Sequence, residues 1–182
     1  LLRWKCQTLG SVSPGEFIPV AEANGFITEL GEFVLRSAAS QLKKWIDKGY
    51  RIRVNVNLSI GQLNQPDFPE KVRQIISETE VPYNSLMLEV TESMAMNDIN
   101  RMREVLNDFY QLGINIALDD FGTGYASLSY LTKLPIDLLK IDKSFIDEIG
   151  ADKKSSDFVS AVISIGHITE CSVLSEGVET ND

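Results

Sequence analysis

The feature that most constrains this chain is a regular alternation of two hydrophobic patterns. Short runs rich in Val, Ile and Leu occur at 52–58 (IRVNVNL), 85–92 (SLMLEVTE), 114–120 (INIALDD), 136–142 (IDLLKID) and 171–177 (CSVLSEG), and each reads as a strand. Between them, 69–80, 98–113, 126–134 and 154–169 carry apolar residues at helical spacing. Asp98 is placed to cap the helix at 98–113 and Gly113 to end it. Ahead of the first strand, residues 14–24 read as a short helix with Ser13 as N-cap and Pro14 at its first position. Residues 28–48 read as a long amphipathic helix that turns Leu30, Phe33, Val34, Ala38, Leu42 and Trp45 to the core and stops at Gly49.

Strands separated by helices pair in parallel, because a tight turn cannot join parallel neighbours. The sheet is then either open and doubly wound or closed into a barrel. No GxGxxG loop follows the first strand, which counts against the dinucleotide-binding version of the open sheet. An eight-unit barrel takes about 31 residues per unit, so 182 residues hold about six units. The expectation is an α/β chain forming a TIM-like (β/α) barrel, one domain over residues 1–182.

Composition removes several functions. The net charge of -9 sets the chain against a nucleic-acid backbone, so no nucleic acid polymer is expected as partner. The two cysteines, Cys6 and Cys171, do not make a disulfide framework, and a reducing cytoplasmic setting follows. A single histidine, His167, is a poor basis for zinc, and it reads as an ordinary helix-face residue. Any metal should be a hard cation on oxygen ligands. No apolar run approaches the roughly 20 residues that span a bilayer, although a parent protein could still be membrane-anchored.

The polar residues cluster where a barrel keeps its chemistry. The five strands end on Asn57, on Glu89, on Asp119 with Asp120, on Lys140 with Asp142, and on Glu176, each about one βα unit from the next. One polar strand end is unremarkable. Five in succession waste buried positions unless something binds there. Four carboxylates at one rim raise one another's pKa unless cations neutralise them, which points to one or two divalent ions. Two such ions can activate water against a phosphodiester, and Lys140 would stand beside them to orient water or stabilise charge. Each residue also has a plainer reading. Asp119-Asp120 with the Phe-Gly-Thr-Gly that follows could be a capping turn, and Asn57 could cap its own turn. Lys140 and Asp142 could form an ordinary ion pair, and Glu92, Ser93 and Glu179 could be solvated loop residues. Only the joint pattern lifts the functional reading above these.

Six ordered segments resemble one family: Leu1-Leu2-Arg3-Trp4, Val56-Asn57-Leu58-Ser59, Glu89-Val90-Thr91-Glu92-Ser93, Asp119-Asp120-Phe121-Gly122-Thr123-Gly124, Leu139-Lys140-Ile141-Asp142 and Glu176-Gly177-Val178-Glu179-Thr180. They resemble, in order, the motifs of EAL-domain cyclic di-GMP phosphodiesterases. The resemblance implies a TIM-like barrel that hydrolyses cyclic di-GMP to linear pGpG with Mg²⁺ or Mn²⁺. It implies Asn57, Glu89, Asp119, Asp120 and Glu176 as metal ligands, and Lys140, Glu176 and Asp120 as the catalytic groups. It implies Arg3 and Glu179 as substrate contacts. Phe121, Gly122, Thr123 and Gly124 would begin a mobile loop (121–127) that couples the site to a dimer interface, with Glu92 pinning it. The family's Glu-Ala-Leu signature would fall just before Leu2, and its last barrel units would follow Glu179. The chain is therefore expected to be an EAL domain cut at both ends, with the first strand and last units missing. Such a piece alone is expected to be inactive and prone to associate. The complete domain is expected to form a homodimer within a protein carrying sensory or GGDEF domains. A receptor that binds cyclic di-GMP without cleaving it, and an unrelated barrel phosphohydrolase, are the competing readings.

Overall fold

Five of the apolar runs pair side by side, as their alternation with helices requires. In the computed structural model, residues 2–123, 131–149 and 153–179 are described. Strands β3 (Val54–Asn57), β4 (Leu86–Thr91), β5 (Asn115–Phe121), β6 (Leu138–Ile141) and β7 (Ser172–Ser175) form one sheet in chain order. Every pairing in it is parallel. Sequential parallel order with helical crossovers is the arrangement of a (β/α) barrel wall, and the chain forms part of such a TIM-like barrel.

Helices cover one face of the sheet. They comprise α2 (Ile27–Asp47), α4 (Phe68–Thr79), α6 (Ile99–Gln111) and α8 (Lys153–Ile168), after the shorter α1 (Pro14–Ala23). Alternate strand residues Val56, Leu88, Val90, Ile116, Leu118, Leu139 and Ile141 point into this layer and are buried. Phe109 of α6 is fully buried and meets Phe68 of α4 edge to face, with ring centroids 5.7 Å apart. Phe109→Ala is expected to destabilise the fold by about 3–5 kcal/mol through lost contacts and a residual cavity. Urea unfolding of the variant checks this, and a loss under about 1 kcal/mol would show that the helix layer collapses to fill the gap.

Two expectations about the helices are corrected. The buried stripe of α2 is Ile27, Leu35, Ala39 and Leu42, whereas Phe33 is 60% exposed and Trp45 is 37% exposed. Apolar residues occupy two faces of this helix. One packs on the sheet; on the other, Val34 and Ala38 are half-buried against the edge of the core, as expected, and with Leu30 and Phe33 they line a cavity of about 680 Å³ beside β3. Ser13 precedes α1 as expected, but its side chain makes no capping hydrogen bond. Asp98 does cap α6, accepting from Arg101 N at 3.0 Å. The helix expected at 126–134 lies mostly outside the described residues.

Five short elements were not expected. Strands β1 (Trp4–Cys6) and β2 (Gly10–Val12) form an antiparallel hairpin, and Trp4 packs edge-on to Phe17 of α1. Helix α3 (Ile60–Leu63) follows β3 and is held by a reciprocal capping box. There Ser59 N donates to Gln62 Oε1 at 3.1 Å and Gln62 N donates to Ser59 Oγ at 3.3 Å. Helices α5 (Glu92–Asn97) and α7 (Lys143–Asp147) likewise start at the ends of β4 and β6. Among the described residues no helix is long and apolar enough to cross a membrane.

Candidate active site

The strand register sets which residues share the face opposite the helices. Asn57 stands in register with Glu89, Glu89 with Ala117, and Ala117 with Leu138. Side chains alternate along a strand, so Asn55, Asn57, Glu89, Asp119 and Lys140 lie on one face while Val56, Leu88, Leu118 and Leu139 lie on the other. The register then shifts on β5. Leu118 pairs with Leu139 and Phe121 pairs with Ile141, so Asp119 and Asp120 together stand opposite Lys140. That is a β-bulge, two residues against one. Asp120 takes φ +55°, and its N–H donates to Asp119 Oδ1 at 3.0 Å. The left-handed conformation is uncommon outside glycine, and Asp is among the residues that tolerate it.

Lys140 occupies the centre. Its Nζ lies 2.9 Å from Glu89 Oε1, 3.0 Å from Asp119 Oδ2 and 2.7 Å from Glu176 Oε1. An ammonium has three protons, and all three are used on carboxylates from three other strands or strand ends. The Lys140 side chain is 8% exposed and those of Glu89 and Asp119 are 6% and 15% exposed. Burial works against the charge on Lys140, but its hydrogen bonds to Glu176, Glu89 and Asp119 outweigh it and hold the pKa above the ordinary lysine range. A raised folded pKa means that this stabilisation is complete below the unfolded value of about 10.4 and fades only as pH rises through the higher folded one. The ammonium is therefore kept at neutral pH. Asp120 is shifted up by partial burial, then by the charges of Asp119, Asp142 and Glu176, with Lys140 as a partial offset.

The donor chemistry suits a hard cation. One ammonium faces three carboxylates, with Asp120 as a fourth nearby, so the rim keeps surplus negative charge. Lys140 already stands where positive charge is wanted. Among the described residues no three acidic, Cys or His side chains form a ready metal cage. One oxygen each of Glu89, Asp119 and Glu176 points at Lys140 instead. The residues present fit a divalent cation in type and charge, provided that side chains turn from the lysine to the ion.

The other expected site residues are scattered more widely. Glu92 is 1% exposed, and its Oε2 accepts the Gly122 N–H at 2.8 Å, which ties α5 to the end of β5. Phe121 is buried, and Thr123 donates through Oγ1 to the Asp120 carbonyl at 2.8 Å. Gly124 lies outside the described residues. Glu179 is exposed and pairs with Lys143 at 3.2 Å. Arg3 is exposed and donates to the Leu2 carbonyl; among the described residues neither has a hydrogen bond or ion pair to the Lys140 cluster. Asp142 is not the partner of Lys140. It caps α7 by accepting from Ser144 N at 3.0 Å. Nor does Asn57 cap the turn after β3, since Ser59 has that role. Two polar groups escaped sequence reasoning. Asp137 Oδ2 accepts from Ile116 N at 2.7 Å and splices β5 to the start of β6. Asn55 Nδ2 donates to Glu89 Oε1 at 2.8 Å. The alternation of VNVN marked Asn55 as facing the same way as Asn57, and that was the available signal.

Fold and rim together define the class: a TIM-like barrel with an acidic site built around one lysine. Residues 1–182 match the EAL domain across their whole length, and the chain belongs to that family. It is 40% identical over 181 residues to the bifunctional diguanylate cyclase/cyclic di-GMP phosphodiesterase MucR of Pseudomonas aeruginosa, covering 99% of this chain and 26% of that protein. It is 39% identical over 181 residues to the cyclic di-GMP phosphodiesterase NbdA of the same species, covering 99% of this chain and 23% of the relative. A solved structure of the PaMucR phosphodiesterase in complex with c-di-GMP superposes with a TM-score of 0.94 at 40% identity, over 100% of this chain and 74% of that one. The chain thus spans about a quarter of the length of these curated relatives.

Proposed function

We propose that this chain forms the catalytic domain of a metal-dependent phosphodiesterase that opens cyclic di-GMP to linear pGpG. The observation that carries the reading is the convergence of Glu89, Asp119 and Glu176 on Lys140 at the carboxyl ends of the strands. Membership of the EAL family and the named activities of MucR and NbdA support the substrate. Asn57, Glu89, Asp119, Asp120 and Glu176 would hold one or two Mg²⁺ or Mn²⁺ ions. Bound divalent ions lower the pKa of water and stabilise charge on phosphate oxygens.

The chain's own groups do the rest. Lys140 keeps its charge at neutral pH and, once carboxylate oxygens turn away from it, has donors free to orient the attacking water. Glu176 is the most exposed of its three partners, at 39%, and is the group best placed to accept the proton of that water. Asp120, held by the bulge beside Asp119, completes the catalytic set. Arg3 and Glu179 would reach the dinucleotide from the periphery of the rim. Gly122 and Glu92 join the segment after β5 to α5, so a shift there would be felt at Asp119 and Asp120. We place the domain in the cytoplasm, as a homodimer, in a protein with sensory or GGDEF domains.

The test is incubation of the protein at its full natural length with cyclic di-GMP and Mn²⁺ or Mg²⁺, with products separated by chromatography. Linear pGpG should form and should stop forming when a chelator is added. Tight binding of cyclic di-GMP with no product would overturn hydrolysis and make the domain a receptor.

A further inference from the structure

Glu89 has a second donor besides Lys140. Its Oε1 accepts from Lys140 Nζ at 2.9 Å and from Asn55 Nδ2 at 2.8 Å. A carboxylate oxygen offers two lone pairs, and both on Oε1 are taken. Among the described residues no donor reaches Oε2. The orientation of the Asn55 amide follows from chemistry, because the flipped assignment would set two acceptor oxygens against each other with no proton between them. Asn55 sits two residues before Asn57 on β3, and both line the cavity of about 680 Å³ that Glu89 also borders.

We propose that Asn55 is a positioning residue, which grips Glu89 by Oε1 so that Oε2 is turned out for a divalent cation. Lys140 gives Glu89 one hydrogen bond only, because its other two protons go to Asp119 and Glu176, and the Asn55 amide adds the second contact that fixes the carboxylate. A carboxylate held at one oxygen loses little rotamer freedom when the other binds an ion, and such supporting hydrogen bonds tune metal affinity. The inference rests on the metal-dependent reading above, and its test separates the two.

Mn²⁺ binding to the full natural-length protein is measured by titration calorimetry without substrate. Asn55→Ala should weaken it by about 10- to 100-fold, the range for residues that support a ligand. Turnover of the variant should recover as Mn²⁺ is raised, which a purely structural defect would not allow. Asn55→Gln, which keeps the amide and has the cavity to extend into, should regain most of the affinity. The melting temperature in chelator should fall by a few degrees for the lost hydrogen bond to a charged group, and the gain on adding Mn²⁺ should shrink as well. If the parent protein binds Mn²⁺ and Asn55→Ala binds it equally well, Asn55 has no such role. If the parent protein binds no Mn²⁺ at all, the metal-dependent reading fails, and this inference with it.

Discussion

Under the proposed reaction, Lys140→Met should lower turnover of cyclic di-GMP by at least about 10²–10³-fold, the range seen when one preorganised charge-stabilising donor is removed. Methionine keeps an unbranched chain one atom shorter and removes the charge. Glu89, Asp119 and Glu176 would then face one another with no ammonium between them. Removing one partner of a buried ion pair costs about 3–5 kcal/mol, and a value at the lower end is expected because Glu176 is 39% exposed. The two effects should separate on addition of Mn²⁺. The ion supplies positive charge, so urea unfolding should move back toward the parent curve, whereas turnover should stay low. Turnover within about tenfold of the parent would remove Lys140 from the proposed reaction.

Gly122→Ala should be the most damaging single-methyl change near the site. Gly122 has φ +102°, a conformation that alanine adopts only under strain. Its new Cβ would also come within 2.5 Å of Phe158 Cζ and 2.8 Å of Phe145 Cε2. Those rings are stacked on each other, with centroids 4.2 Å apart, so neither can withdraw alone. Strain and overpacking of this kind each cost about 1–3 kcal/mol. The larger effect is positional. Gly122 N would pull away from Glu92 Oε2, to which it now donates at 2.8 Å, and would drag the end of β5 with it. A misplacement of about 1 Å is enough for a loss of about 10²-fold in turnover. Thermal unfolding and steady-state rates measured together give both numbers, and unchanged rates would show that the end of β5 tolerates the shift.

The barrel wall was legible because one period governs it. Strands 52–58, 85–92, 114–120, 136–142 and 171–177 could be phased by their apolar residues, and each closes on a polar group where it leaves the core. The Asp119–Asp120 pair, Glu89, Lys140 and Glu176 were visible for the same reason. The pairing of Lys140 was not. Whether it meets Asp142, two residues away on its own strand, or Glu89, two strands away, depends on the reach of a side chain across the sheet. The phase of α2 was misread because Leu30, Phe33 and Val34 compete with Leu35, Ala39 and Leu42, and a helix apolar on two sides has no single preferred stripe. The β1–β2 hairpin was invisible because its two strands are only three residues each, and neither alternates. The bond from Asn55 to Glu89 spans 34 residues, and nothing local announces it.

The bulge at Asp119–Asp120 also restricts how this site can change over evolution. Because two residues there oppose one, deleting either aspartate would erase the bulge and leave a single residue opposite Lys140. Phe121 would keep its partner Ile141 and its place in the helix layer, where it is 3% exposed, but the strand would straighten and lose the left-handed step at Asp120. A regular strand sends neighbouring side chains to opposite faces, so two adjacent carboxylates at the rim require the extra residue. The paired carboxylates and the extra residue should therefore be kept or lost together.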